Sequence, residues 1–384
     1  MKIKVSEKIT YIQIKKKNGQ AFLNQVNSLF KNKILIDQKK KVLHVEDYIL
    51  FPLIEDNELI EKLLHFISES IDYKIISKEP VLTLNYKYKS LEEALKKKIP
   101  SEFYELIPKS YDIIGDIAIL EFDKFETPID KLINLYKTKI AKAVIKVNKN
   151  VKSVYEKKSE IKDMFRLRKF THLYGEGNSE TIHKENNCSF KLDIFKSFFT
   201  PRLVFERNRI TTCNILENEL IIDMFAGVGP FSIQIAKKHN VVIHAFDINP
   251  NAYNYLKTNI KFNKIKGTIF PYNFDIKVLL QHSNEVGSIL KNQADRIIMN
   301  LPEKSLNYIN IACFLMKESG GILHNYQFCE KPDSVNNAIT NLKEELDNFN
   351  WSIEKILASK IVKPFSPKAD LVVVDLKIKY KDLI

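Results

Sequence analysis

Apolar positions recur with two rhythms along the first half of the chain. In ITYIQIK, residues 9–15, they alternate, as in a strand with one buried face. Residues 20–31 predict a short helix, followed by strand-like ILID and KVLHVEDYILFPLI. NELIEKLLHFI carries its apolar residues three and four apart, the spacing of an amphipathic helix. SKEPVLTLNY, residues 77–86, contains Pro80 and predicts a linker. A second α/β pattern follows. LEEALKKKI predicts a helix, and SYDIIGDIAILEF a strand pair or one long strand bent at Gly115. Residues 128–141 predict a helix and AVIKV a strand. The basic remainder predicts irregular chain with a hairpin near Gly175 and Gly177.

From residue 191 onward the pattern changes. Seven apolar runs, ELIIDMF, VVIHAF, GTIFPY, RIIMN, GGILHNY, WSIEKILASKIV and DLVVVDLKI, read as strands, with helical patterns between the first six. Such alternation predicts a doubly wound, mostly parallel sheet. KPFSPKA, between the last two runs, is too short for a parallel crossover, so these two strands should pair antiparallel at the end of the sheet. Three α/β domains are expected: 1–76, 77–190 and 191–384.

Composition adds a partner class. Hydrophobic residues at 45% and charged residues at 28% describe a globular chain with ample core. No run approaches the ~18 apolar residues of a membrane span, so no membrane association is expected. Residues 1–10 lack the apolar segment of a secretory signal, and no Arg precedes Arg166, against an Arg-rich transit peptide. The four cysteines are dispersed, without metal-ligand spacing; no metal site is expected, and a cytoplasmic location is. The net charge of +13 is uneven. Residues 1–45 hold 11 basic and 2 acidic side chains, residues 131–210 hold 19 and 8, and the rest is net acidic. Two concentrated basic stretches suit a nucleic-acid footprint, the alternative being solvated lysine faces. Five of the six arginines, Arg166, Arg168, Arg202, Arg207 and Arg209, fall within 44 residues of a chain that otherwise uses lysine. A planar fork suits phosphates, carboxylates or a base edge; the alternative is a set of structural ion pairs.

Four fragments carry candidate chemistry. Asp223-Met-Phe-Ala-Gly-Val-Gly-Pro-Phe follows the first strand of the sheet, where Gly227 and Gly229 permit a tight turn close to a ligand. Pro230-Phe231 replaces the third glycine of a dinucleotide fingerprint, which disfavours a nicotinamide cofactor. Asp247, twenty residues beyond Gly227, ends the second strand, where an acid can bind both hydroxyls of a ribose or cap the next helix. Asp275 follows the third strand and can serve a nucleoside or an N-cap. Asn300-Leu-Pro-Glu follows the fourth; its amide could read a base edge, or the tetrapeptide could be an ordinary turn. In TPRLVFERNR, Glu206 lies among Arg202, Arg207 and Arg209, which suits a charged base but, taken alone, favours a structural pair.

Together DMFAGVGPF, FDINP, MNLP and SFFTPRLVFER resemble the archaeal and eukaryotic tRNA (guanine-37-N1)-methyltransferases. The resemblance extends through FRLR, HLYGEG, TIHKENN, SYDIIGDIAIL and VKPFSP, and covers most of residues 80–384. It implies a class I S-adenosylmethionine-dependent methyltransferase fold: a Rossmann-like, seven-stranded sheet with an antiparallel last strand, plus two smaller N-terminal α/β domains. It implies methyl transfer from S-adenosylmethionine to N1 of guanosine-37 in tRNA. Glu206 would be the general base, Arg166 would stabilise the guanine O6, Asn300 would contact base and cofactor region, and Arg202 would order the site. Arg207 would approach the cofactor. Asp223, Gly227, Asp247, Ile248, Asp275 and Ile276 would line the cofactor's place. Phe198 stands where many members have Tyr, which removes a hydroxyl. The alternative is aminocarboxypropyl transfer to, or further methylation of, a wyosine precursor at the same position. The expected partner is tRNA, and the expected state a monomer.

Overall fold

The structure, a computed structural model, describes residues 8–29, 35–67, 70–81, 83, 88–96, 98–122, 128–159 and 164–381. The chain divides into two compact units, Met1–Lys89 and Ser90–Ile384.

The first unit runs β1 (Ile9–Lys15), α1 (Gly19–Leu29), β2 (Leu43–Val45), β3 (Tyr48–Pro52), α2 (Asn57–Ile67) and β4 (Tyr73–Lys78). Its antiparallel sheet has the order β2-β3-β1-β4. Alternation in β1 buries Ile12 and Ile14 with Phe22 and Val26 of α1 and Leu59, Leu63 and Ile67 of α2. KVLHVEDYILFPLI is a hairpin rather than one strand, turning at Glu46, whose φ is +48°. ILID contributes only a bridge from Ile36 to Leu53, with Ile34 outside the described residues. Residue 77, where a linker was expected to begin, lies within β4.

The second unit begins with α3 (Leu91–Leu95), capped by the Ser90 hydroxyl, which accepts from Glu93 N at 3.1 Å. A sheet follows from β5 (Asp112–Ile114), β6 (Ile117–Leu120), β7 (Ser153–Lys157) and β8 (Phe170–Gly175), ordered as numbered, with α4 (Pro128–Val147) crossing between the parallel β6 and β7. Gly115 turns the β5–β6 hairpin at φ +58°, where a Cβ would lie 2.1 Å from Thr181 Oγ1. AVIKV is the end of α4, not a strand, because the buried stripe Ile133, Ile140, Val144 keeps helical spacing through it. The expected hairpin near Gly175 and Gly177 is also displaced. Gly175 ends β8 where that strand passes close to the backbone at Lys152. The hairpin joins β9 (Glu180–Glu185) to β10 (Cys188–Asp193) through Asn186 and Asn187, both left-handed. Asparagine tolerates that conformation, and a two-residue turn of this hand matches strand twist.

After α5 (Val204–Thr212) come β11 (Leu220–Asp223), α6 (Pro230–Lys238), β12 (Val242–Phe246), α7 (Pro250–Phe262), β13 (Thr268–Tyr272), α8 (Glu285–Leu290), β14 (Arg296–Met299), α9 (Ile309–Leu315), β15 (Gly321–Glu330), α10 (Ser334–Asn348), β16 (Trp351–Pro364) and β17 (Ala369–Tyr380). The sheet order is β13-β12-β11-β14-β15-β17-β16, and β17 runs antiparallel to both neighbours. All seven predicted strands are present. Both faces are buried: Ile221, Ile243 and Val373 pack on one side, Ile222, Phe246 and Val374 on the other. The side chains of Asn259 and Asn263 on α7 extend this architecture to β10. Each amide donates to and accepts from one β10 backbone position, Lys191 and Ser189 respectively, at 2.7–3.0 Å. These bonds tie the hairpin to the sheet domain within one compact unit.

Candidate active site

The chain leaves β11, β12, β13 and β14 at the same edge of the sheet, so the loops after them converge, as ligand sites in open α/β sheets require. They line a cavity with Met224–Gly227, Asp247–Asn249, Phe274–Ile276, Asn300, Leu301 and Tyr308, closed by Phe198–Thr200, Leu203, Arg207 and residues 164–166. Gly227 has φ +56° and donates its N–H to Asp247 Oδ2 at 2.7 Å; Asn249 N donates to Oδ1 at 2.8 Å. Burial raises the Asp247 carboxyl, and these two N–H groups oppose the rise. A Cβ on Gly227 would have only the Phe198 carbonyl within 4 Å, so glycine here leaves the cavity open. Gly229 serves packing instead: φ is +92°, and a Cβ would lie 2.5 Å from Leu256 Cδ1. Asp275 lines the cavity and caps the turn after it, accepting from Lys277 N at 3.0 Å. Apolar walls with a half-buried acid suit a nucleoside: rings against Met224, Ile248 and Ile276, ribose hydroxyls at Asp247.

Asp223 lies behind this cavity rather than in its wall. It is buried, accepts from Ser232 Oγ at 2.6 Å, and is pushed up to about 6 by desolvation. Arg207 borders the cavity, yet its guanidinium is held by Glu185 Oε2 at 2.7 Å and the Thr200 carbonyl at 2.9 Å.

A second cavity adjoins the first. Its wall includes Asp112, Glu121, Lys157, Arg166, Arg168, Phe198, Arg202, Asn300, Phe328, Lys363, Phe365 and Leu371. The two share Arg166, Phe198, Thr200, Leu203 and Asn300. Arg166 has φ +57°, a strained backbone for a residue with a side chain, and its guanidinium lies 4.7 Å from the Phe198 ring centre. Arg168 faces the same ring at 5.7 Å. Phe198 therefore supports two cations, a task that needs the ring and not a hydroxyl. Arg202 Nε donates to Asp112 at 2.7 Å, Lys157 pairs with Glu121 at 2.5 Å, and Arg166 reaches Glu303 only at 3.4 Å. Among the described residues Arg168 and Lys363 make no ion pair, and Asn300 makes no side-chain hydrogen bond. The buried Nε atoms of Arg166 and Arg168 also lack acceptors. Burial lowers both guanidiniums and the Lys363 ammonium, with Arg202 depressing Lys363 further. Cations crowded this way call for an anion. The stacked rings of Phe328 and Phe365, 3.8 Å apart, add a flat apolar wall.

Glu206 belongs to neither wall. It is buried under α5, where Oε2 accepts from Arg209 Nε at 3.0 Å and the Tyr326 hydroxyl at 3.3 Å, while Lys360 Nζ lies 2.5 Å from Oε1. Lys363, Tyr326 and Lys360 carried no signal in the sequence; Arg168 carried one, its membership of the arginine cluster.

Residues 181–354 match the TRM5/TYW2 methyltransferase domain, and residues 91–179 the TYW2 N-terminal domain. The chain is 33% identical over 373 residues to the tRNA (guanine(37)-N(1))-methyltransferase Trm5b of Methanocaldococcus jannaschii, covering 96% of this chain and 99% of that one. It is 36% identical over 282 residues to Trm5b of Pyrococcus abyssi, covering 73% and 78%. A solved complex of aTrm5 with tRNALeu superposes with a TM-score of 0.70 at 31% identity, covering 96% of this chain and 99% of that one. With two adjoining cavities at the strand ends of its seven-stranded sheet, the chain belongs to the archaeal and eukaryotic family of tRNA (guanine-37-N1)-methyltransferases, enzymes that depend on S-adenosylmethionine.

Proposed function

We propose that this enzyme methylates N1 of guanosine-37 in tRNA, with the shared wall of the two cavities as the reaction centre. The observation that carries the reading is that Arg166, Phe198 and Asn300 border both cavities. S-adenosylmethionine, when bound, supplies the electrophilic methyl group. Asp247 would hold its ribose, with Asp275, Ile248, Ile276 and the open face of Gly227 around it. The target base, turned out of its stack, would enter the second cavity against Phe328 and Phe365. N1 carries a proton and must lose it to become nucleophilic; Glu206, buried behind the second cavity, would take it once its carboxylate turns toward the base. The electron pair left behind shifts negative charge to O6, where the Arg166 guanidinium meets it. Its hold on Glu303 at 3.4 Å is weak enough to exchange for that contact. Asn300, with both amide groups uncommitted, orients the base edge. Asp112 fixes Arg202, which closes the far wall.

Basic residues in 131–210 would grip the RNA backbone, and the small domain expected over residues 1–76, basic over residues 1–45, would touch the tRNA away from the anticodon. A cytoplasmic monomer fits this reading; among the described residues no helix is long and apolar enough to cross a membrane. The match of residues 91–179 to a TYW2 domain keeps a second reading in play, transfer to a wyosine precursor at the same position. Mass spectrometry of tRNA nucleosides after incubation with methyl-labelled S-adenosylmethionine separates the two. Labelled 1-methylguanosine supports the first; label only in a tricyclic base, or a transferred aminocarboxypropyl group, overturns it.

A further inference from the structure

The inference concerns Lys360 and rests on the reading of Glu206 as the base. Strand register arranges one face of β15, β17 and β16 in rows. Tyr326, Val373 and Lys360 form one row; Phe328, Leu371 and Lys363 form the next. Lys360 and Lys363 are three apart and would alternate to opposite faces, but a bulge between Ile361 and Lys363 restores them to the same one. The second row lines the base cavity. Glu206 lies over the first, one step of about 7 Å along the strands from that wall.

The two carboxylate oxygens are held differently. Oε2 is anchored from behind by Tyr326 and by Arg209, which is itself fixed to Asp375. Near Oε1 lies the ammonium of Lys360, whose side chain is 47% exposed while that of Glu206 is 4% exposed. Proton acceptance needs an oxygen free to approach within about 3 Å of the donor, and the ammonium of Lys360 holds Oε1 back from the cavity wall one row away. Lys360 sits on the edge strand with a flexible stem, in the row beside the cationic cavity, and can leave without disturbing the core.

We propose that Lys360 is a latch on the base. In the free enzyme it covers Glu206 Oε1. When the ribose–phosphate backbone of the acceptor nucleotide enters, its phosphate draws the ammonium away and exposes Oε1. The N1 proton then passes to Oε1 and its electron pair stays on the ring. Lys360 keeps its proton throughout. It is a positioning residue, which makes proton removal conditional on RNA backbone being in place.

The test uses the full-length enzyme with tRNA, comparing wild type, Lys360→Met and Lys360→Arg in single-turnover methyl transfer across a salt series. For Lys360→Met the expected result is about three- to tenfold weaker tRNA binding, a log–log salt slope shallower by about one, and a rate at saturating tRNA within about twofold of wild type. Lys360→Arg should keep the slope but react more slowly at saturation, because the fork holds the carboxylate more firmly. An unchanged slope and affinity for Lys360→Met, with a reduced saturated rate, would overturn the latch and leave Lys360 as a fixed partner of Glu206. Glu206→Gln, assayed alongside, reports on the base itself. An unchanged chemical step there removes the reading beneath the latch, whereas a lost step with an unchanged Lys360→Met slope removes only the latch.

Discussion

Two acids stand on either side of the proposed reaction centre, and they are held in opposite ways. Asp247, on the cofactor side, is gripped by two peptide N–H groups and, among the described residues, no cation. Glu206, on the α5 side, is gripped by Arg209, Lys360 and a tyrosine hydroxyl. Glu206 is fully buried and Asp247 half-buried, and the proposed tasks differ. An acid that binds sugar hydroxyls needs oriented lone pairs, which a glycine-bearing loop arranges with its own backbone. An acid proposed to take a proton must be ionised out of water, which neighbouring cations favour. The cofactor side is therefore built from the loops of two successive strand–loop–helix units, Gly227 after β11 and Asn249 after β12. The α5 side joins Arg209, three residues from Glu206 on the same helix, to Tyr326 and Lys360, which come from distant strands.

The contrast can be broken most directly at Glu206. Glu206→Gln should lose about 10²–10⁴ in single-turnover rate while keeping cofactor affinity, since glutamine preserves shape but takes no proton. A stable variant that binds both substrates and reacts at the wild-type rate would make the α5 network purely architectural. Arg166→Ala should forfeit about 10²–10³ in the same assay, the scale of a missing oxyanion donor. Arg166→Lys should recover part of this; full recovery would show that charge suffices without the fork.

On the cofactor side, Asp247→Ala should weaken S-adenosylmethionine by about 1–3 kcal/mol in calorimetry, with the rate at saturating cofactor little changed. Unchanged affinity would remove Asp247 from the site. The mildest effect is expected on stability alone. His324 Nδ1–H donates to Asp375 at 2.8 Å and its Nε2 accepts from Arg296 at 2.9 Å, the pattern of a neutral imidazole, which burial favours. Despite its burial, Asp375 is held down to about 2 from an ordinary 3.8, by His324 first and Arg209 next. A depressed carboxyl stabilises the fold above its unfolded value, and that contribution fades as pH falls from about 4 to 2. Asp375→Asn should therefore lower stability by about 2 kcal/mol at pH 7 in urea unfolding, with the deficit closing near pH 2. A deficit independent of pH would mean that packing, not charge, joins Asp375 to α5.

Much of the cofactor side was legible because its signals are local. Gly227, Asp247, Asp275 and Asn300 each follow an apolar run that announces its own strand, and parallel order brings those strand ends together. Legibility failed where a segment's period was ambiguous. AVIKV suits a strand by composition, yet it continues the buried stripe of α4. Gly175 and Gly177 drew the hairpin to the wrong turn, because asparagines can take left-handed conformations that the glycines seemed to claim.

The amino-acid sequence by itself determined the seven-stranded sheet, its antiparallel end, the cofactor loops and the arginine-rich approach to them, since each depends on periodicity or on residues close in the chain. Only the tertiary structure decided what those arginines hold. Arg202 went to Asp112, Arg207 to Glu185 and Arg209 to Glu206 and Asp375, leaving Arg168 free of any ion pair among the described residues. It also decided that Glu206 lies one strand row behind the second cavity with Lys360 upon it. The physical reason is register. Which side chains share a face of β15, β17 and β16 depends on the pairing of distant strands and on one bulge, and a shift of a single residue would turn Lys360 away.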